Sequence, residues 1–254
     1  MMLCKSGKES DVEKYHLNGW VAEKKIDGVR CLAFCDEQVK LIGRSGSDYT
    51  SKFPEVVEDL KGFVGVFDGE ISCDTFNHTA SRVHTENKLK SKLLSKAYPS
   101  VFYVFDVIQL NGDLRDKPLN QRVRILTETG IGEKKSIELV ERSIDLVLMW
   151  EKAKKENWEG LVLKKLDSKY SDKRSCNWIK VKKQISKDIV VDSYSINSAG
   201  IRCEGEGFAV QITGSNSQLV KNKIDETGSC LIEVKGLEET ENGKIRQIVF
   251  KEMK

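Results

Sequence analysis

Apolar positions along the chain fall mostly into short alternating runs broken by glycine, asparagine and charge, with a few stretches at helical spacing. Trp20 to Lys25 reads as a strand entering an Asp27-Gly28 turn. Arg30 to Phe34 and Val39 to Ile42 follow as strands, so the pattern predicts a β-meander with Gly28, Gly43 and Gly46 at its corners. Pro54 to Leu60 predicts a short helix with proline in its first turn, where a missing N–H costs nothing. Phe63 to Phe67 predicts another strand, which Gly69 separates from Ile71-Ser72, and the Lys-rich stretch His78 to Ser95 reads as a solvent-facing helix. Val101 to Ile108 predicts a buried central strand. Helices are expected over Pro118 to Thr129 and Ser143 to Glu156, the second with Ile144, Val147, Leu148 and Glu151 at i, i+3, i+4 and i+7. Gly160 to Lys165 and Trp178 to Lys182 are again strand-like.

Near Lys183 to Lys187 the character changes. Ile189 to Tyr194, Phe208 to Ile212, Cys230 to Val234 and Ile245 to Phe250 are short strands separated by Gly, Asn and Ser, the profile of a small closed β-barrel such as an OB-fold. The expected class is α+β: a first domain over residues 1–184, mixing antiparallel strands with inserted helices, then an all-β barrel over 185–254.

Composition narrows the reading. Of 254 residues 39% are hydrophobic, which excludes a disordered chain, and no apolar run is long enough to span a bilayer. The N-terminal stretch Met1 to Asp11 is charged and has no apolar segment of the secretory kind. The net charge of +3 is unevenly placed: from Lys187 onward 9 basic residues face 11 acidic ones, which leaves +5 on the first 186 residues. A mildly basic body suits a polyanion and equally suits ordinary surface charge. The seven cysteines form no C-x-x-C pair and read as free thiols in a reducing cytoplasm.

The chemistry concentrates in Lys25-Ile26-Asp27-Gly28-Val29-Arg30, preceded by Glu23. A lysine amine is mostly protonated at neutral pH, so a nucleophilic lysine needs burial or neighbouring cations. Lys180 and Lys182, two apart on a strand, point the same way. Beside Lys25 they would disfavour an ammonium there and would hold phosphate oxygens as charge builds. Two like-facing lysines next to Trp178 also describe a solvated strand edge.

Six segments in this order resemble the minimal ATP-dependent DNA ligases of the covalent nucleotidyltransferase superfamily. They are the lysine motif at 25–30, Gly43-Arg44-Ser45-Gly46, Phe67-Asp68-Gly69-Glu70, Phe105-Asp106, Glu159-Gly160-Leu161-Val162-Leu163-Lys164 and Trp178-Ile179-Lys180-Val181-Lys182. The Leu-Asn-Gly-Asp-Leu-Arg stretch at 110–115 is similar to DNA ligases in particular. The resemblance implies a nucleotidyltransferase domain joined to an OB-fold, with ATP as co-substrate, Mg²⁺ as cofactor and nicked duplex DNA as partner for a monomeric enzyme. Lys25 would take AMP from ATP, AMP would pass to a DNA 5′-phosphate, and the 3′-hydroxyl would displace it.

Roles follow from the resemblance residue by residue. Lys180 and Lys182 would hold the α-phosphate. Glu159 would bind metal, and Asp27 would orient metal or the attacking hydroxyl. Glu70 would accept from the ribose 2′-OH, Arg30 would touch the ribose, Phe105 would stack on adenine and Glu23 would read its amino group. Arg174 matches an arginine near the nucleotide, although Lys173 replaces the usual glycine before it. Arg44, with Ser45, would hold the 5′-phosphate of the nick, and Thr79, Ser81 and Arg82 would approach the nicked strand. Arg246 and Lys251 are the stand-ins for a last, pyrophosphate-orienting motif whose proline and second arginine are missing. The first motif begins near residue 23, so grip on DNA is expected from the basic first domain and the barrel, with affinity falling steeply as salt rises. An RNA ligase, a capping guanylyltransferase and an inactive nucleic-acid-binding relative share parts of this pattern.

Overall fold

In the computed structural model, which describes residues 1–236, 245 and 248–254, contacts divide the chain into two units, Met1–Val181 and Lys182–Lys254. The strands of the first are β1 (Leu3–Ser6), β2 (Trp20–Lys24), β3 (Val29–Cys35), β4 (Lys40–Gly43), β5 (Gly65–Ser72), β6 (Val101–Gln109), β7 (Ile137–Leu139), β8 (Arg142–Ser143), β9 (Gly160–Lys165) and β10 (Arg174–Lys182). Its helices are α1 (Ser10–Tyr15), α2 (Pro54–Leu60), α3 (Phe76–Val83), α4 (Lys88–Ala97), α5 (Leu119–Glu128) and α6 (Leu146–Lys155). The strands make two five-stranded sheets, ordered β1-β10-β9-β2-β8 and β4-β3-β5-β6-β7.

Strand alternation sorts the side chains into three apolar layers. On the first sheet Trp20, Ala22, Leu161, Leu163, Ile179 and Val181 turn to a core shared with α6. On the second, Cys31, Ala33, Phe67, Ile71, Phe102 and Val104 turn to a core shared with α2 and α5. Between the sheets lies a smaller cluster of Met2, Val66, Phe105, Ile108, Val140, Tyr170 and Trp178. The opposite faces of both sheets therefore look into one polar crevice above that cluster.

The meander expected at the start is broken. β3 and β4 form a hairpin, with Cys31 opposite Gly43, but β2 belongs to the other sheet, where it pairs antiparallel with β9. Lys25 to Gly28 is thus the crossing from one sheet to the other. Gly28 is required there because a Cβ would stand 2.3 Å from the Ile71 carbonyl oxygen. At Gly69 β5 does not end but shifts its register against β6, between Asp68 and Gly69, and a Cβ would lie 2.4 Å from the Phe102 ring. The sequence pattern read a separator where the backbone needs close approach.

The stretch 78–95 is two helices, α3 and α4, parted at residues 84–87 and capped by Thr75 and Asn87. In α6 the expected face is the wrong one. Leu146, Met149, Trp150 and Ala153 are buried, while Ile144, Val147 and Leu148 face solvent. Residues 144–150 are apolar except Asp145, so two registers of the same period fit the string. Asp145 caps the helix, accepting from the Leu148 N–H at 2.9 Å, and packing against β9 and β2 selects the buried face.

The second unit holds β11 (Ile185–Val191), β12 (Ser193–Asn197), β13 (Gly200–Gly205), β14 (Phe208–Ile212), α7 (Ser215–Thr227), β15 (Cys230–Gly236) and β16 (Val249–Met253). They form two three-stranded antiparallel sheets, β11-β15-β16 and β12-β13-β14, around Ile189, Val191, Ile201, Val210, Val220, Ile232 and Val234. Helix α7 had no counterpart in the sequence reading. Among the described residues no helix is long and apolar enough to cross a membrane.

Candidate active site

The first sheet lines the crevice with every second residue of four strands. In the β2–β9 register Glu23 faces Val162 and Val21 faces Lys164, and the Lys25 N–H donates to the Gly160 carbonyl at 3.0 Å. Val21, Glu23 and Lys25 therefore share a face with Val162 and Lys164. On β10, Trp178 points into the inter-sheet cluster, which puts Lys180 and Lys182 on that same side of the strand. Across the crevice, β3 and β5 set Arg30 opposite Glu70, with Asp68 two residues before Glu70.

Lys25 leaves β2 at the crossing, and its Nζ donates to Glu159, the residue just before β9. Both side chains are largely buried, at 20% and 11% exposure. Cys4, on β1, marks where charges converge. Burial raises its thiol, and Lys164, Arg30, Lys25 and Lys180 all pull the other way. Those four cations act on one point, and three of them are paired with carboxylates there, Lys25 with Glu159, Arg30 with Asp68 and Lys164 with Glu23.

The carboxylates opposite are held unequally. Arg30 makes a two-pronged bond to Asp68, with Nε at 2.6 Å from Oδ1 and Nη2 at 2.7 Å from Oδ2. Burial alone would favour a neutral Arg30; the Asp68 charge outweighs it and keeps the guanidinium firmly protonated. Asp68 also accepts from the Tyr170 hydroxyl at 2.7 Å, and that hydroxyl accepts from the Met2 N–H at 3.0 Å. Glu70 has less help. Burial pushes its carboxyl up to about 7, against the pull of Arg30 and Lys25.

A carboxyl raised from 4.5 to about 7 binds a proton in the folded chain before it does in the unfolded one. Its contribution to stability is fully present below 4.5 and is lost as pH rises through 7. Glu70→Gln is therefore expected to flatten the decline in unfolding free energy between those values, measured by urea titration at several pH values. An unchanged slope would show that Glu70 does not titrate there.

Sequence reasoning missed Lys164 as a separate feature. It is 1% exposed, with Nζ 3.9 Å from the Trp178 ring centre and 4.1 Å from that of Phe105. It forms an ion pair with Glu23 Oε2 at 2.6 Å, while Arg142 stands 3.2 Å from Glu23 Oε1. Among the described residues neither Lys164 Nζ nor Glu23 Oε1 has an aligned hydrogen-bond partner. The one sequence signal for Lys164 is alternation, which puts it on the strand face opposite Leu161 and Leu163. Phe105 is buried, with Trp178 edge-on at 6.0 Å and the Arg30 guanidinium 4.5 Å from its ring centre. Its ring and the Glu23 carboxylate both belong to a packed, charged floor.

The remaining predicted residues scatter. Arg174 donates to the Cys4 carbonyl at the start of β10. Arg44 and Ser45 stand exposed on the turn after β4, with Ser45 Oγ 3.0 Å from Ser47 Oγ. Thr79 and Arg82 require correction, because both are fully buried and neither offers a surface to DNA. Thr79 bonds the Cys73 N–H and the Thr75 carbonyl. Arg82 forms a bidentate pair with Glu55 and donates to the Lys52 and Tyr98 carbonyls. Ser81 is exposed. Lys251 pairs with Glu233 at 2.6 Å, and Arg246 lies outside the described residues.

The crevice fits a hard divalent cation arriving with a triphosphate. Glu159 offers a carboxylate, Asp27 lies on the Lys25 to Gly28 crossing, and the charges of Asp68 and Glu159 push Glu70 up, a repulsion that a cation at Glu159 would relieve. Among the described residues no three ligating side chains converge, so phosphate oxygens would complete the shell.

Comparison with known proteins agrees with this architecture. The family model "ATP dependent DNA ligase domain" matches residues 1–182. The SPbeta prophage-derived DNA ligase-like protein LigB of Bacillus subtilis is 30% identical over 187 residues, 72% of this chain and 68% of that protein. The multifunctional non-homologous end joining DNA repair protein LigD of Mycobacterium tuberculosis is 29% identical over 194 residues, but the match covers 24% of its length, so the chain corresponds to about a quarter of that relative. The solved structure of mycobacterial DNA ligase D complexed with ATP and MES has the same fold, with a TM-score of 0.62 at 22% identity over 100% of this chain and 94% of that one. With most of its length matched by the family model, the chain belongs to the ATP-dependent DNA ligases.

Proposed function

We propose that the protein seals nicks in duplex DNA through a covalent lysyl–AMP intermediate at Lys25. The observation that carries this reading is the Lys25 amine resting on Glu159 at the crossing between two sheets, with Lys164, Arg30 and Lys180 acting on the same neighbouring thiol. The amine attacks the α-phosphorus of ATP; an N–P bond forms and the bond to pyrophosphate breaks. Glu159, its hydrogen-bond partner, orients the amine, whose proton passes to solvent. Lys180 and Lys182 hold the α-phosphate oxygens, and Arg30 and Glu70 bracket the ribose. Arg44 and Ser45 present a guanidinium and a hydroxyl to the 5′-phosphate of the nick, which takes AMP from Lys25. The 3′-hydroxyl then attacks that phosphate and AMP leaves. Glu159 and Asp27 would hold Mg²⁺, which would supply positive charge for these displacements.

The second unit is read as an OB-fold. In support, β11 and β12 are separated by Asp192 alone and act as one bent strand, α7 falls between the third and fourth strands, and β14 lies beside β16. The two-domain division, action as a monomer and a reducing cytoplasmic setting belong to the same proposal. Intact mass after incubation with ATP and Mg²⁺, with the modified peptide located, tests it. One adenylyl group on Lys25 is expected, and a wild-type mass that never changes would defeat the reading.

A further inference from the structure

Glu23 stands two residues before Lys25 on the crevice side of β2, about 7 Å away along the strand. A nucleotide whose α-phosphate lies at Lys25 bridges that distance with its ribose, and the edge of its base comes to Glu23. The carboxylate there is clamped from both neighbouring strands. Lys164 of β9 pairs with Oε2 at 2.6 Å, and Arg142 of β8 stands 3.2 Å from Oε1. Arg142 is itself anchored, donating to the Phe105 carbonyl at 3.2 Å. Lys164 is held over the rings of Phe105 and Trp178, whose faces suit a cation. Burial lowers its pKa while the charges of Glu23 and Asp106 oppose that shift, so ammonium and carboxylate sustain each other.

The clamp fixes charge without completing the hydrogen bonds. Five buried side-chain polar atoms among the described residues have no aligned partner, and three of them gather here: Lys164 Nζ, Glu23 Oε1 and Trp178 Nε1. Such atoms are costly to leave unmade, and their clustering in one floor marks where the polar edge of a ligand completes them. An ionised carboxylate accepts and never donates. It therefore bonds the 6-amino group of adenine and repels the 6-oxo oxygen of guanine. That preference holds only while the carboxylate stays charged and aimed.

We propose that Lys164 is a positioning residue for base choice: with Arg142 it holds the Glu23 carboxylate as a fixed acceptor, and so makes the site take an adenine nucleotide over a guanine one. The proposal rests on the lysyl–AMP reading for its ligand. Lys164 touches no reacting atom and acts through Glu23. Equimolar ATP and GTP, offered with Mg²⁺ to one sample, compete for Lys25, and intact mass separates the AMP adduct from the GMP adduct. Early in the reaction the ratio of adducts is the ratio of kcat/KM for the two nucleotides. Only folded chain reacts, so a partial loss of folded chain does not move that ratio. Lys164→Met is expected to lower it about 10- to 100-fold, because ATP loses an aligned acceptor and GTP loses a repulsion. Glu23→Gln should lower it as far, since an amide can turn its N–H toward the oxo group. Adding Lys164→Met to Glu23→Gln should change it little further, and Lys164→Arg should keep most of the wild-type preference.

An unchanged ratio in Lys164→Met would overturn the proposal. So would a further fall in the double variant as large as in the single ones, since Lys164 would then act independently of Glu23. If Lys164→Met yields no folded chain, Arg142→Met reads the other arm of the clamp, and an unchanged ratio there counts equally against it. A wild-type chain that takes up neither nucleotide would defeat the lysyl–AMP reading instead. Equilibrium binding of ATP against GTP to the same variants would then still decide the role of Lys164.

Discussion

Incubated with ATP and Mg²⁺, the Lys25→Ala variant is expected to remain at its unmodified mass and to leave a 5′-phosphorylated nick open. Alanine removes the only atom proposed to bond phosphorus, so the loss should be complete within detection rather than partial. Lys25→Arg should fail as well, because a guanidinium stays protonated at any pH the protein survives. Offered a nick whose 5′ end already carries AMP, the Ala variant should still join it, although more slowly. In that last step the 3′-hydroxyl attacks and AMP leaves, so no lysine–phosphorus bond forms. A labelled-AMP gel and a sealing assay on both substrates decide the matter. Uptake of AMP by the Ala variant would place the nucleophile elsewhere. Failure to join the pre-activated nick would mean that Lys25 also serves the final step.

A comparable loss, in stability rather than chemistry, is expected from Arg122→Ala. Asp106 on β6 and Arg122 on α5 are both fully buried, and Arg122 donates to the two Asp106 oxygens at 2.8 and 2.9 Å. Arg122 also donates to the carbonyls of Lys117 and Ser168, so it joins β6, α5 and the loop after β9. Removing it strands a carboxylate whose pKa burial already raises despite that partner. Breaking such a pair costs about 3–5 kcal/mol, which for a chain of this size is roughly 6–20 °C in Tm. The sign with pH is testable too. Without Arg122 the Asp106 carboxyl should be raised further, so the variant ought to recover part of its deficit as pH falls toward 5. A loss below about 1 kcal/mol, or one that grows in mild acid, would show that the pair is not what holds these elements. Replacing both residues by leucine and methionine should cost less than removing Arg122 alone.

How much of this was legible beforehand depends on how local the signal is. Lys25, Glu159, Glu70 and Arg30 sit in short strings whose residue types state their chemistry, and the fold brings them to one crevice. Arg82 and Thr79 were misread because burial is not written near them: Glu55, which draws Arg82 inward, lies 27 residues upstream. Lys164 escaped notice because Lys165 beside it is half exposed, and two adjacent lysines at a strand end read as solvent-facing. Only the pairing of β9 with β2 reveals that one of them turns inward to Glu23. The face of α6 was ambiguous in principle, since an almost uniformly apolar string carries no phase. The placing of β2 beside β9 in the first sheet, apart from β3 and β4, follows from strand pairing far along the chain, which a run of alternating residues does not encode.

The bonds around Asp68 have a mechanical consequence. Arg30 and Asp68 belong to one sheet, Met2 leads into the other, and Tyr170 clasps both. The chain itself, crossing at Lys25 to Gly28, is a second tie between the sheets. The reacting amine thus stands on a seam braced twice, and a change of guest from triphosphate to monophosphate would leave its footing in place.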